Sequence, residues 1–246
     1  MNNVSKWLSG KGILFVALFS FAVLLADQVR IAAVWGAPNQ YFTLFQIVGP
    51  IAGGFLGAAG GVASVLLAQI MSFIYLGKAF DVLNILRLSP MLFGAYYFAK
   101  FGLKKGMDGN YALLAPIAAI LLFITNPIGA QVWYYALFWA IPVVAALFFA
   151  NSLFARSLGA SFTAHAIGGI VWLYLVPTTP AFWAALIPVV MLERLLFAAG
   201  ISVSYVGFNT LLGRLDYIMP EGLLNIDRRY ALFSKAAPLQ AKRMRK

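Results

Sequence analysis

Of 246 residues, 63% are hydrophobic and only 10% charged, and the mean hydropathy is +0.88. A water-soluble domain carries about a quarter charged residues, so this chain lacks the polar side chains to cover a surface in water and reads as an integral membrane protein. The net charge of +11 is what membrane topology alone demands and does not point to nucleic acid, and zero cysteines exclude disulfides, thiolate metal sites and cysteine nucleophiles.

The first apolar run, 12–30, follows a basic start and resembles a secretory leader. It is long and lacks a clear small-residue cleavage pattern, so it reads as a retained membrane helix. Further apolar segments follow at 41–57, 60–76, 83–101, 111–126, 131–151, 161–177 and 182–212. A span needs about 20 residues, so the second, third, fifth and seventh are short enough to be partly re-entrant. Pro50, Pro90, Pro116, Pro142 and Pro188 fall inside these runs, where each removes a helix hydrogen bond and bends the axis.

The expected fold is therefore an all-α, polytopic, helical bundle of six to eight transmembrane helices in the cell membrane. Eight crossings place Lys6, Lys11, Lys100, Lys104, Lys105, Arg156, Arg214, Arg228 and Arg229 on one side, leaving Arg30, Lys78 and Asp81 near the other. By the positive-inside rule both termini are cytoplasmic; six crossings, with one short pair dipping, give the same result. Residues 1–213 form the transmembrane domain and 214–246 a basic cytoplasmic tail, which touches anionic headgroups or docks a partner. Within it, the weakly amphipathic stretch Leu223 to Phe233 suits the membrane interface. The segments "LRLSPMLFGAYY" and "VMLERLLFAAGI" hint at two parallel four-span halves.

The stretch "GPIAGGFLGAAGG" sets Gly49, Gly53, Gly57 and Gly61 four residues apart, a drifting stripe on one helix face. In hydrocarbon such stripes let backbones approach closely. A turn at Gly57 to Gly61 and a ligand against bare backbone are the other readings. Ala22 and Ala26 form a second small-residue pair in the first span. The pattern Pro-x-x-Gly-Gly-Phe-Leu-Gly-x-x-x-Gly, followed by "NILRLSPMLFGAYYFAKFGLKK", resembles the N-terminal half of the substrate-binding S components of energy-coupling factor vitamin transporters, over roughly residues 12–105. The second half departs from that family's six-span plan, with up to four spans after Gly106. The resemblance implies a vitamin-like substrate, no catalysis, and a membrane coupling subunit with cytoplasmic ATPases as partner, docked through Ala22 and Ala26.

Polar groups inside spans are expensive and are functional candidates by default. Sorted by depth, Asp27, Gln28, Arg30, Gln46, Asn84, Arg87, Asn126, Gln131, Trp133, Trp172 and Tyr174 fall in the outer half. They outline an outward-open pocket, or else an interfacial belt of aromatics and amides. Glu193 and Arg194 lie about 16 Å along the last span, near the bilayer midplane, where a lone charge costs about 2.5–3.5 kcal/mol. Neighbours on a helix diverge by about 100°, so Glu193 is expected to seek Arg87 or His165, and Arg194 to seek Asp27. The substrate-binding set is thus Asn84, Arg87, Asn126, Gln131, Trp133, Glu193 and Arg194. His165, the only histidine, suits hydrogen-bonded packing or proton coupling with Glu193, and cannot alone make a multi-ligand metal or haem site. No metal site, cofactor or nucleotide motif is present in the sequence. The alternative function is a non-catalytic structural or assembly subunit of a larger membrane complex, with a membrane enzyme as a third reading.

Overall fold

The computed structural model describes residues 10–33, 41–101, 111–215 and 224–232. Lys6, Lys104, Lys105, Leu223, Phe233 and the basic end of the tail lie outside the described residues. In chain order the elements are α1 (Gly10–Gln28), β1 (Arg30–Ala33), β2 (Tyr41–Thr43), α2 (Phe45–Val48) and α3 (Ile51–Tyr75). Next come α4 (Val82–Leu86), α5 (Ser89–Lys100), α6 (Tyr111–Thr125) and α7 (Pro127–Gln131). A 3-10 segment (Trp133–Ala140), α8 (Ile141–Phe148), α9 (Leu153–Leu175), α10 (Pro180–Leu215) and a 3-10 turn (Arg228–Tyr230) complete the chain. Four helical runs, Ile51–Tyr75, Val82–Lys100, Leu153–Leu175 and Pro180–Gly213, are long and apolar enough to cross a membrane. The molecule is a mostly helical membrane protein.

The glycine ladder supplies both a bend and a contact. Gly57 breaks α3 with φ 71° and ψ −178°, a region essentially reserved for glycine. The chain doubles back there, so that a Cβ on Gly61 would come within 2.5 Å of the Gly53 Cα. Gly53 in turn presses on α5, where its Cβ would lie 2.0 Å from the Ala95 carbonyl oxygen. Gly49 faces the side chains of Met91 and Phe45. The run after the break, 58–75, still measures about 27 Å. Ala26 is buried but Ala22 is exposed, so the two alanines do not form one continuous contact stripe.

Prolines set the other breaks. Pro90 has no N–H to offer the Leu86 carbonyl, and the Ser89 hydroxyl donates to it instead at 2.6 Å. The adjacent Leu88 carbonyl accepts from Gln69 Nε2 at 3.0 Å, which ties the break to α3. The expected span 131–151 is not one α-helix. Pro142 cannot bond the Phe138 carbonyl, which is taken by the Ile141 N–H, and the chain upstream winds as 3-10. The Pro142 carbonyl accepts from the Tyr97 hydroxyl at 2.6 Å. The expected span at 41–57 begins as a strand, with β1 and β2 pairing antiparallel across a bulge. The halves are unlike: α5 is a 12-residue helix after a break and α10 a 36-residue helix.

Arg156 is not in a loop. Ser152 caps α9 by accepting from Ala155 N, so the helix starts eight residues before the expected span and carries Arg156 in its first turn. The guanidinium lies 4.0 Å over the Phe98 ring, and its Nε donates to the Phe98 carbonyl at 2.6 Å. Nearby, Leu224–Leu232 forms a strap over the Gly57 bend. Asn225 N donates to the Phe55 carbonyl (2.8 Å), Asp227 N to Asn209 Oδ1 (2.8 Å) and Leu232 N to Thr210 Oγ1 (2.8 Å). Within the strap Arg229 donates Nη2–H to Asp227 at 2.6 Å and holds that carboxyl below its ordinary pKa. A depressed folded pKa stabilises above the unfolded value of about 3.9 and is lost as pH falls through the folded one. The protein is therefore expected to melt above its Asp227→Asn variant at pH 6, with the gap closing in acid below the unfolded value; thermal midpoints across that range check it.

Candidate functional site

Away from the strap, the same helices enclose a cavity of about 420 Å³, within the range of small-molecule sites. Helix α10 lines it through Phe182 to Arg194, whereas Tyr205 to Thr210 of the same helix meet the strap, so the two lie at opposite ends of the bundle. Phe45, Phe73, Trp172, Phe182 and Trp183 give the cavity aromatic walls. Beneath it, Phe123 packs edge-to-face on Trp139 and Trp183, with centroids 5.1 and 5.2 Å apart. Such a cluster gives the walls a rigid backing.

Four of the seven expected binding residues come together here: Asn84, Arg87, Glu193 and Arg194. The proline break between α4 and α5 brings the first two to the cavity. Asp81 caps α4 by accepting from Asn84 N at 2.8 Å, and the Asn84 amide also donates to Asp81 Oδ2 at 2.7 Å. Asp27, Gln46 and Trp172 of the outer polar set line the same space.

The expected partners of the central pair are corrected. Arg194 Nη2 donates to Glu193 at 3.2 Å, and Asp27 accepts instead from the hydroxyls of Thr43 (2.8 Å) and Ser72. Two long side chains can bend toward each other despite the angle between their Cβ directions. The Arg194 guanidinium carbon also stands 4.8 Å from the Phe42 ring centroid and 4.6 Å from that of Phe197, cation–π contacts that hold it at the wall. Arg194 is 3% exposed, and its Nε has no partner among the described residues.

Asn126, Gln131 and Trp133 do not reach the cavity. The Asn126 side chain caps α7 by accepting from Ile128 N at 2.9 Å, with Pro127 at the first helical position. Gln131 donates back to the Pro127 carbonyl, and Trp133 is 57% exposed on the outside of the bundle. Two cavity residues outside the expected set are Tyr135 and His165. Tyr135 stands two residues from Trp133, on the opposite side of the segment in either an α or a 3-10 winding, so it faces inward where Trp133 faces out. His165 takes the packing role that its isolation suggests, bonded at both ring nitrogens to Trp139 and Tyr135. Among the described residues no cluster of side chains is arranged to hold a metal ion. Comparison with protein-family models, with curated proteins and with solved structures finds no match for this chain.

Proposed function

We propose that the protein is a multi-pass cell-membrane subunit that binds a small, vitamin-like organic molecule and passes it across the bilayer. It works in the manner of an S component, without catalysis of its own. Both termini lie in the cytoplasm and the cavity faces outward, since Lys100, Arg156, Arg228 and Arg229 gather at the strap end. With no nucleotide motif in the sequence, transport is energised by a membrane coupling subunit with cytoplasmic ATPases. The observation that carries the reading is the convergence of Asn84, Arg87, Glu193 and Arg194 on one aromatic-walled cavity. These residues come from chain segments about a hundred positions apart, and polar groups in apolar spans need a reason to be there.

Native mass spectrometry of gently extracted protein tests this. A stoichiometric small molecule is expected, lost from Arg87→Ala while thermal unfolding stays cooperative. Purification with a partner subunit and no small molecule would sink the proposal. It would favour an assembly subunit, a reading already supported by the direct Glu193–Arg194 ion pair.

A further inference from the structure

The hydrogen bonds at the cavity floor leave two donors over. An indole N–H only donates, and Trp139 Nε1 lies 3.0 Å from His165 Nδ1, so Nδ1 is an acceptor. The neutral ring then carries its proton on Nε2, which donates to the Tyr135 hydroxyl at 3.2 Å. The hydroxyl's own proton must go elsewhere, and among the described residues nothing accepts it. Arg194 supplies the second donor. Phe42 and Phe197 cover its guanidinium, Nη2 is engaged by Glu193, and the buried Nε–H has no partner among the described residues. Both side chains line the cavity. A buried donor without an acceptor costs about 1–3 kcal/mol, more when charged, so the natural complement is an anionic oxygen.

The charge around the cavity limits how much negative charge is welcome. Lys78, Arg87 and Arg194 stand against Asp27 and Glu193, with His165 neutral, a net of one positive charge. A dianionic phosphate would meet two carboxylates with too little compensation, whereas a carboxylate balances the sum. The flat aromatic walls suit a ring.

Building on the binding role proposed above, we infer that the cavity takes a monoanionic aromatic acid. Its carboxylate accepts from Arg194 Nε and the Tyr135 hydroxyl, and its ring lies among Phe45, Phe182 and Trp183. The test uses benzoate, benzamide and benzylamine, three probes of one size and different charge, titrated into the full-length protein in mild detergent. Benzoate is expected to bind about tenfold tighter than benzamide, with benzylamine weakest. Tyr135→Phe should weaken benzoate severalfold; the free variant should still unfold cooperatively, at a somewhat lower temperature because the His165 Nε2–H loses its acceptor. Arg194→Lys, which keeps the charge but loses the Nε donor, should shrink the acid-over-amide preference. Equal binding of acid and amide, preference for the amine, or no binding of any probe at millimolar concentration each overturns the assignment. An uncharged molecule found by native mass spectrometry would sink only the acid, whereas no bound molecule at all would sink the binding role itself.

Discussion

Gly53→Ala is expected to destabilise the protein by about 3 kcal/mol or more, at or beyond the upper end of ordinary overpacking. The added carbon would sit 2.0 Å from the Ala95 carbonyl oxygen and 3.1 Å from the Ala99 Cβ. Backbone stands in its way, so α3 and α5 must separate rather than a side chain rotate. Gly207→Ala is the matched control. Nothing lies within 4 Å of its Cβ position, and the same change should be neutral or stabilise by up to about 1 kcal/mol through helix propensity. Thermal unfolding of the two variants in one detergent checks the pair; similar melting temperatures would show that the ladder is not a contact surface.

Arg194→Met is expected to cost about 3–5 kcal/mol, because it leaves the Glu193 carboxylate without its cation. Removing both charges, as Glu193→Gln with Arg194→Met, should recover most of that loss, since an apolar replacement of a buried pair is often neutral. Folding and binding then separate. The double variant should unfold near the wild-type temperature yet carry no small molecule in native mass spectra. Recovery of the molecule together with the fold would reduce the pair to a structural brace.

What the sequence reveals follows from how local its signals are. Long apolar runs with a proline or a capping residue mark helices, and the Gly57 turn and the Pro90 break were both legible. Depth along a helix can also be counted, which puts Asn84 and Arg87 in the outer half and Glu193 and Arg194 near the midplane, but depth alone does not separate them from Asn126, Gln131 and Trp133, which miss the cavity. Rotation about a helix is harder to read: Trp133 and Tyr135 point to opposite sides in either winding, and the all-apolar and aromatic run Trp133–Ala140 carries no polar face to say which of them meets the cavity. Asn126 takes the capping role that its neighbours indicate rather than a place at the cavity, since Asn followed by Pro is a helix start. Arg156 falls between two apolar runs in the sequence, and its stabilisers, Phe98 and Tyr205, are too distant along the chain to show that it belongs to a helix. The strands at Arg30 and Tyr41 have three or four residues each, too short for any alternation to show.

The strap also has a bearing on synthesis. The carbonyl freed at Phe55 waits for the amide of Asn225, which the ribosome adds roughly 10–30 s later at ordinary elongation rates. During that interval the doubled-back helix around Gly57 can close on itself but lacks its final hydrogen bond, and water or headgroups must serve in its place. The bend at Gly57 is thus sealed by some of the last residues described, and a ribosome stalled before residue 225 would hold a chain whose fold-back at Gly57 is still unlatched.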